Sequence, residues 1–427
     1  MNAPLDRERC VETRGGSDVT YERERDNQGW IYDLMVKATG RTHNFAYDAR
    51  ELPTEVKNYA MIPRVLERQA RHIETLARAA EERGNLLTAA SIYAQALRPY
   101  HLGQHAIYED DNSEKIYLHG KLLESFASVV RCGRLDVETV EIPFEGTTIQ
   151  AYFHRSRMAG PRPAVLYVPG MDQTKERFPN PLSNPFPARG MHVLSIDGPG
   201  QGVSNIRKLR LTIDNYERAG QAAISWLVER DEVDSSKIGV FGCSMGSHWA
   251  TQVGGSDPRV GVLASAFACY TNKRQIFDVD SPRFKRIFMY MTGISSESEF
   301  DEFAQAYVLD KYFDNLACAT LMVHGEFDPL SDLDEALELY GRIQSTKEFW
   351  IMEDDFHMPI GTENLAGLDI YPFIADWMAA SFEAPRSPSS KEVLVHRSNG
   401  IGPYGPQMVG HRLPERVTED IAAQSLA

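Results

Sequence analysis

Ser244 lies in Gly242-Cys243-Ser244-Met245-Gly246, a G-x-S-x-G pentapeptide. A serine in that setting can attack a carbonyl carbon if a base stands beside it, because its hydroxyl alone is a weak nucleophile near neutral pH. In a chain with 31 glycines the pentapeptide by itself carries little weight. Two downstream residues strengthen it. Asp328 lies in VHGEFDPLSD and His357 in EDDFHMP, giving the chain order Ser, acid, His expected when each group follows a separate strand. In those roles Ser244 attacks, His357 takes its proton and later returns one to the leaving group, and Asp328 orients the imidazole. Asp332 and Asp334 compete with Asp328, but Asp328 sits nearest the end of the preceding apolar run. His324 lies inside that run and reads as a packed core histidine. Asp354 and Asp355 read as solvated loop acids.

An acyl-transfer site also needs donors for the oxyanion. The backbone N–H of Met245, next to the nucleophile, is one. The other is expected from the loop after PAVLYVP, at Gly170-Met171, with the Met171 amide preferred. From that loop Gly170, Asp172 and Glu176 are candidates to face substrate, as is His248, one helical turn beyond Ser244. Asp172 and Glu176 could equally be ordinary loop carboxylates. His101 and His105 have a spacing two metal ligands can use, but Pro99 and Gly103 argue against a regular helix there. No metal and no cofactor is expected.

The elements that must position these groups are legible as apolar runs at 163–169, 191–197, 237–242, 260–267, 319–325 and 347–352. They alternate with helical patterns near 212–230, 245–255, 333–343 and 367–381. Such alternation builds a mostly parallel, doubly wound sheet. It is preceded by VETVEIPF and TTIQAYF around Glu145-Gly146, which read as a hairpin. Ser244, Asp328 and His357 then each fall beyond the C-terminal end of a strand, where ligands bind in open α/β sheets. The fold class is therefore α/β, an α/β-hydrolase fold with additions. Residues 1–135 read as an N-terminal helical domain: a helix over about 56–83, a second in LLTAASIYAQALR ending before Pro99, and a third capped near Asn112-Ser113. Residues 136–383 form the catalytic domain, with a cap-like helical insertion at 271–318 that is rich in aromatic residues. Residues 384–427 are rich in Gly, Pro and Ser and read as an extended tail, either disordered or laid along another surface.

Composition sets limits on partners. A net charge of −15 argues against general affinity for nucleic acid or anionic membrane. The five cysteines are scattered, with no C-x-x-C pair, so thiols in a reducing compartment are the plain reading. With no long apolar run and no hydrophobic leader near the first residue, a cytoplasmic location is expected. The partner is a small-molecule substrate, and a homodimer is compatible with the long tail and helical domain.

GCSMG, the DGPGQG stretch at Asp197–Gly202, the PGMDQTKE loop at Pro169–Glu176 and HGEFDPL, all behind a helical domain, resemble the α/β-hydrolases typified by 2,6-dihydroxypseudooxynicotine hydrolase. The hydrolases of fungal polyketide, fusarin and cytochalasan pathways share that layout. The resemblance spans about residues 50–382. It implies Ser244, Asp328 and His357 as the triad, the Gly170-Met171 loop as oxyanion donor, and cleavage of a carbon–carbon bond beside a ketone. Ester or lactone hydrolysis needs the same protein groups and stands as the alternative. A non-hydrolytic cyclase or a binding protein on the same fold is the alternative from another class. The expected substrate is small, largely apolar, and aromatic or polyketide-like.

Overall fold

The computed structural model describes residues 43–44, 50–53, 55–267, 269–270, 273–279, 282–353, 355–357, 363–384 and 387–395. Within the N-terminal region three helices pack in sequence: α1 (Ile62–Glu82), α2 (Leu86–His105) and α3 (Ser113–Gly133). In α1 the buried residues Ile62, Val65, Leu66, Ala70 and Ala77 recur at helical spacing, so one stripe faces its neighbours. Ala70 and Ala77 pack with Ala89, Tyr93, Leu97, Leu118, Leu122 and Phe126, and Ile62 and Leu66 with Leu102 and Ala106. Asn112 caps α3, its side chain accepting from the Lys115 amide at 3.0 Å. The buried Glu74 carboxylate is satisfied by Tyr100 at 2.5 Å, Lys121 at 3.0 Å and Arg78.

One expectation is corrected here. The second helix does not stop before Pro99 but runs through it to His105. Proline removes the bond to the carbonyl of residue 95, at a cost of about 3 kcal/mol. Gln95 is exposed, so water can serve that carbonyl, while Tyr100, His101 and Leu102 beyond it are buried. Tertiary burial outweighs the local penalty. His101 and His105 therefore do share a helix face, their rings stacked at 5.6 Å. Among the described residues no group of three His, Cys, Asp or Glu side chains is placed to hold a metal ion.

The helical layer rests on a nine-stranded sheet. Its strands are β1 (Val137–Phe144), β2 (Thr147–His154), β3 (Arg162–Val168), β4 (His192–Ile196), β5 (Val233–Cys243), β6 (Val260–Ala266), β7 (Ala319–Gly325), β8 (Lys347–Met352) and β9 (Ser390–Val395). They lie in the order β9-β8-β7-β6-β5-β3-β4-β2-β1. β2 pairs antiparallel with β1 and β4, and every other pairing is parallel. Alternation along β3 sends Leu166 and Val168 to one core and Val165 and Tyr167 to the other, the period-two pattern of a strand covered on both faces. Helices α4 (Asn215–Val228) and α5 (Met245–Gly254) cover the first face. The C-terminal helix Tyr371–Glu383 covers the second. Tyr152 of β2 stacks on Phe126 of α3 at 4.1 Å and so fastens the helical layer to the sheet.

The insertion after β6 contains helices Pro282–Thr292 and Glu297–Ala306. Phe277, Phe288 and Phe300 form an aromatic cluster there, with ring centroids 5.0 to 6.0 Å apart. Part of the segment read as an extended tail is laid along the sheet edge as a strand: β9 pairs with β8 from Ser390 against Lys347 to Val395 against Met352. The apolar run Val393–Val395, buried on that edge, supplies the driving force, and the residues after 395 lie outside the described chain. Among the described residues no helix is long and apolar enough to cross a membrane.

Candidate active site

The turn between β5 and α5 lifts Ser244 out of the sheet. Its backbone is at φ 55°, ψ −130°, a costly conformation for a residue with a side chain. The flanking glycines make room for it. A Cβ on Gly242 would come 2.1 Å from the Gly246 carbonyl, and one on Gly246 would come 2.2 Å from the Val168 carbonyl. The strained turn is held by the Ser244 amide, which donates to Ala266 O at 2.8 Å.

The loops after β7 and β8 bring the other two groups to the serine. His357 Nε2 is 2.8 Å from Ser244 Oγ, and His357 Nδ1 is 2.8 Å from Asp328 Oδ2. Asp328 Oδ1 accepts from the Leu330 amide at 2.9 Å, which fixes the carboxylate and leaves Oδ2 for the imidazole. A carboxylate can only accept, so Nδ1 carries the proton and Nε2 is the acceptor for the serine hydroxyl. The Asp328 side chain is 0% and the His357 side chain 4% exposed, so the chain of bonds is shielded from water. The two loops are tied together by the Phe327 amide donating to Asp355 O at 2.9 Å. Cys269 Sγ lies 3.8 Å from Ser244 Oγ. Burial pushes its thiol up to about 12, so the sulfur stays protonated and does not compete as a nucleophile.

Gly170 packs directly on the nucleophile: a Cβ there would lie 3.2 Å from Ser244 Cβ and 3.0 Å from Cys243 O. The loop around it is held from behind by Gln201, whose Nε2 donates to Gly170 O at 2.7 Å and Pro169 O at 3.1 Å. Tyr216 in turn donates to Gln201 Oε1 at 2.6 Å. The Gly170 carbonyl belongs to the peptide unit that carries the Met171 N–H. In a trans peptide the two point in opposite directions, so fixing the carbonyl on Gln201 turns the Met171 amide away from it. DGPGQG was visible as a motif, but nothing in its spacing assigned Gln201 this contact.

Farther along the loop, Lys175 is fully buried between Glu176 Oε1 at 2.5 Å and Asp197 Oδ2 at 2.8 Å. Burial alone would lower the Lys175 pKa, but Asp197 and Glu176 together raise it, so it stays an ammonium. Asp197 moves down despite burial because Lys175 faces it, and also accepts from the Lys175 and Val203 amides at 3.0 and 2.9 Å. Glu176 moves up, chiefly through burial. This cluster joins the PGMDQTKE loop to DGPGQG.

A cavity of about 770 Å³ opens in front of Ser244 and His357, lined also by Met171, Asp172, Phe178 and Tyr371. Of the four residues expected to face substrate, Asp172 lines it, and Gly170 lies behind it against the serine. Glu176 and His248 are corrected out of that set. Glu176 is 0% exposed and faces Lys175, and His248 is 0% exposed and stacks on Tyr307 at 4.3 Å. The long insertion covers the helix that carries His248, which sequence spacing does not reveal. Met245 is also fully buried; only its backbone can serve the site. His101 of the helical layer reaches the same loop, its Nε2 2.8 Å from Asp172 O. His324 is buried, with Nδ1 2.7 Å from Gly325 O.

The chain is 27% identical over 205 residues to 2,6-dihydropseudooxynicotine hydrolase of Paenarthrobacter nicotinovorans, covering 47% of this chain and 54% of that protein. It is 24% identical over 255 residues to the α/β hydrolase pydG of Acremonium sp, covering 56% and 58% respectively. It thus spans little more than half the length of these relatives. The crystal structure of 2,6-dihydroxy-pseudo-oxynicotine hydrolase superposes with a TM-score of 0.66 at 22% identity, over 79% of this chain and 93% of that one, a likeness of fold. The prolyl oligopeptidase family matches residues 187–383. The profile of the family described as Esterase FrsA-like matches residues 56–278, more than half of the 427 residues; the chain belongs to that family of α/β-hydrolases.

Proposed function

We propose that the protein is a serine hydrolase in which Ser244, His357 and Asp328 open a carbon–carbon bond beside a ketone through an acyl-enzyme. The observation that carries this reading is the unbroken Asp328–His357–Ser244 chain, 2.8 Å at each step, facing a cavity of about 770 Å³. Ser244 Oγ adds to the ketone carbon as its proton passes to His357 Nε2. The oxyanion is held by the Met245 and Met171 amides. Collapse breaks the carbon–carbon bond, and the imidazolium of His357 protonates the departing carbon. Water then adds to the acyl-serine, giving its proton to His357, and expulsion of Ser244 releases a carboxylic acid. Ketone and water become an acid and a C–H compound, and the enzyme is restored. The substrate must stabilise the departing carbanion, through an electron-rich ring or a second carbonyl.

Support for carbon–carbon cleavage comes from the similarity to 2,6-dihydropseudooxynicotine hydrolase. The Esterase FrsA-like family supports a second reading, ester hydrolysis by the same groups. A β-diketone, an aryl ketone and an ester sharing their acyl group separate the two when products are followed in ¹⁸O-water. The expected result is cleavage of a ketone with ¹⁸O in the acid. Turnover of esters alone sinks the carbon–carbon reading, and product without solvent oxygen sinks hydrolysis in favour of cyclisation.

Gln201 supplies a further prediction. Gln201→Leu removes the bond that aims the Met171 amide, and displacement of an oxyanion donor is expected to lower kcat by about 10²-fold with little change in KM. Steady-state kinetics on an activated ester measure this. A rise in KM with kcat intact would mean that Gln201 shapes the substrate pocket instead.

A further inference from the structure

The cavity in front of Ser244 contains two guanidinium groups that the triad chemistry does not use. Arg98 enters it from α2 of the helical layer, and Arg177 from the end of the PGMDQTKER loop. Neither makes a hydrogen bond or ion pair through its side chain among the described residues. Elsewhere Arg155, Arg189, Arg207, Arg259 and Arg342 each hold a carboxylate. Acidic partners are abundant at a net charge of −15, yet none is placed on these two.

The cavity's own acids do not answer them. Asp172 attracts Arg177 through space but makes its ion pair with the buried Arg283, at 3.6 Å. Asp369 is exposed at the rim. Burial, and then repulsion by Arg98, lower the Arg177 guanidinium to about 10 despite attraction from Tyr371 and Asp172, so Arg177 faces the poorly solvated part of the cavity while Arg98 faces it from the water-exposed side. A guanidinium held there without a hydrogen-bonded carboxylate costs free energy that a bound anion recovers. The remaining wall is largely apolar, with Met171, Phe178, Phe284, Leu330, Leu368 and Tyr371.

We infer that the substrate is an apolar acyl compound carrying a carboxylate, which Arg177 and Arg98 bind while its carbonyl meets Ser244. The inference rests on the reading of Ser244 as the nucleophile for the position of the carbonyl, but not for the anion site itself. Arg177 has the larger share, because Arg98 is exposed to water. The helical layer and the catalytic layer thus each supply one cation to a common ligand.

Calorimetric titration of the full chain with 4-phenylbutyrate and with its uncharged amide tests this. The acid is expected to bind about 10- to 100-fold tighter than the amide, the range of a charged hydrogen-bonded contact. Arg177→Met should erase that preference, Arg98→Met should weaken it, Arg177→Lys should keep part of it, and Ser244→Ala should leave it intact. Equal binding of acid and amide, binding of neither, or a preference that survives Arg177→Met overturns the proposal. The lysine variant and Arg98→Met keep the test decisive if Arg177→Met fails to fold. Binding needs no nucleophile, so failure here leaves the hydrolase reading standing, and an unreactive Ser244 would leave the anion site standing.

Discussion

Ser244→Ala is expected to abolish covalent capture of a fluorophosphonate and to lower turnover by about 10⁴- to 10⁶-fold. The hydroxyl stands 2.8 Å from His357 Nε2, placed to give up its proton. The neighbouring thiol of Cys269 stays neutral. Residual activity would come from substrate binding and the oxyanion amides, which the substitution leaves in place. Because the three groups act as a unit, Ser244→Ala combined with His357→Ala should be hardly slower than Ser244→Ala alone. Intact mass after labelling gives the first readout: one adduct on the wild type and none on the variant. An adduct that survives in Ser244→Ala would place the reactive group elsewhere.

Asp328→Asn is expected to lower kcat by about 10⁴-fold while leaving the fold intact. The reason lies in the other carboxylate oxygen. The Leu330 amide donates to Oδ1 at 2.9 Å, so the asparagine carbonyl must take that place and its NH₂ must face His357. Nδ1 then becomes the acceptor and Nε2 carries the proton, pointing a donor at the serine where a base is required. A thermal melt close to that of the wild type, together with the fall in kcat, would show that the tautomer and not the packing has changed. A loss below about tenfold would mean that Asp328 is not the orienting group.

Much of this site could be read from residue order, and the reasons are physical. The sheet's parallel strands are buried on both faces, so they appear as short apolar runs with sharp ends: 319–325 and 347–352 coincide with Ala319–Gly325 and Lys347–Met352. Once those ends are known, residues just beyond them must converge on one edge. What escaped the sequence depends on packing between distant segments. Pro99 reads as a helix stop because the penalty is local and the compensating burial of Tyr100 is not. Ser390–Val395 reads as tail because its flanks are rich in Ser and Pro, while the edge that accepts it lies some forty residues earlier. Glu176 and Asp172 share a loop and a charge, but only the fold decides that one meets Lys175 and the other the cavity. Nothing in spacing pairs Arg98 with Arg177.

The strand that closes the sheet also has a bearing on synthesis. The Glu353 amide donates to Val395 O at 3.2 Å, and Asn364 Nδ2 bridges Glu353 O at 2.8 Å and Val395 O at 3.0 Å. The segment leading from β8 to His357 is therefore braced by residues that leave the ribosome well after it. A nascent chain stalled before β9 would present Ser244 on a finished elbow while the histidine's loop still lacked its outer support. Reactivity of the serine would then depend on the β8–β9 ladder, the last of the described ladders to be synthesised.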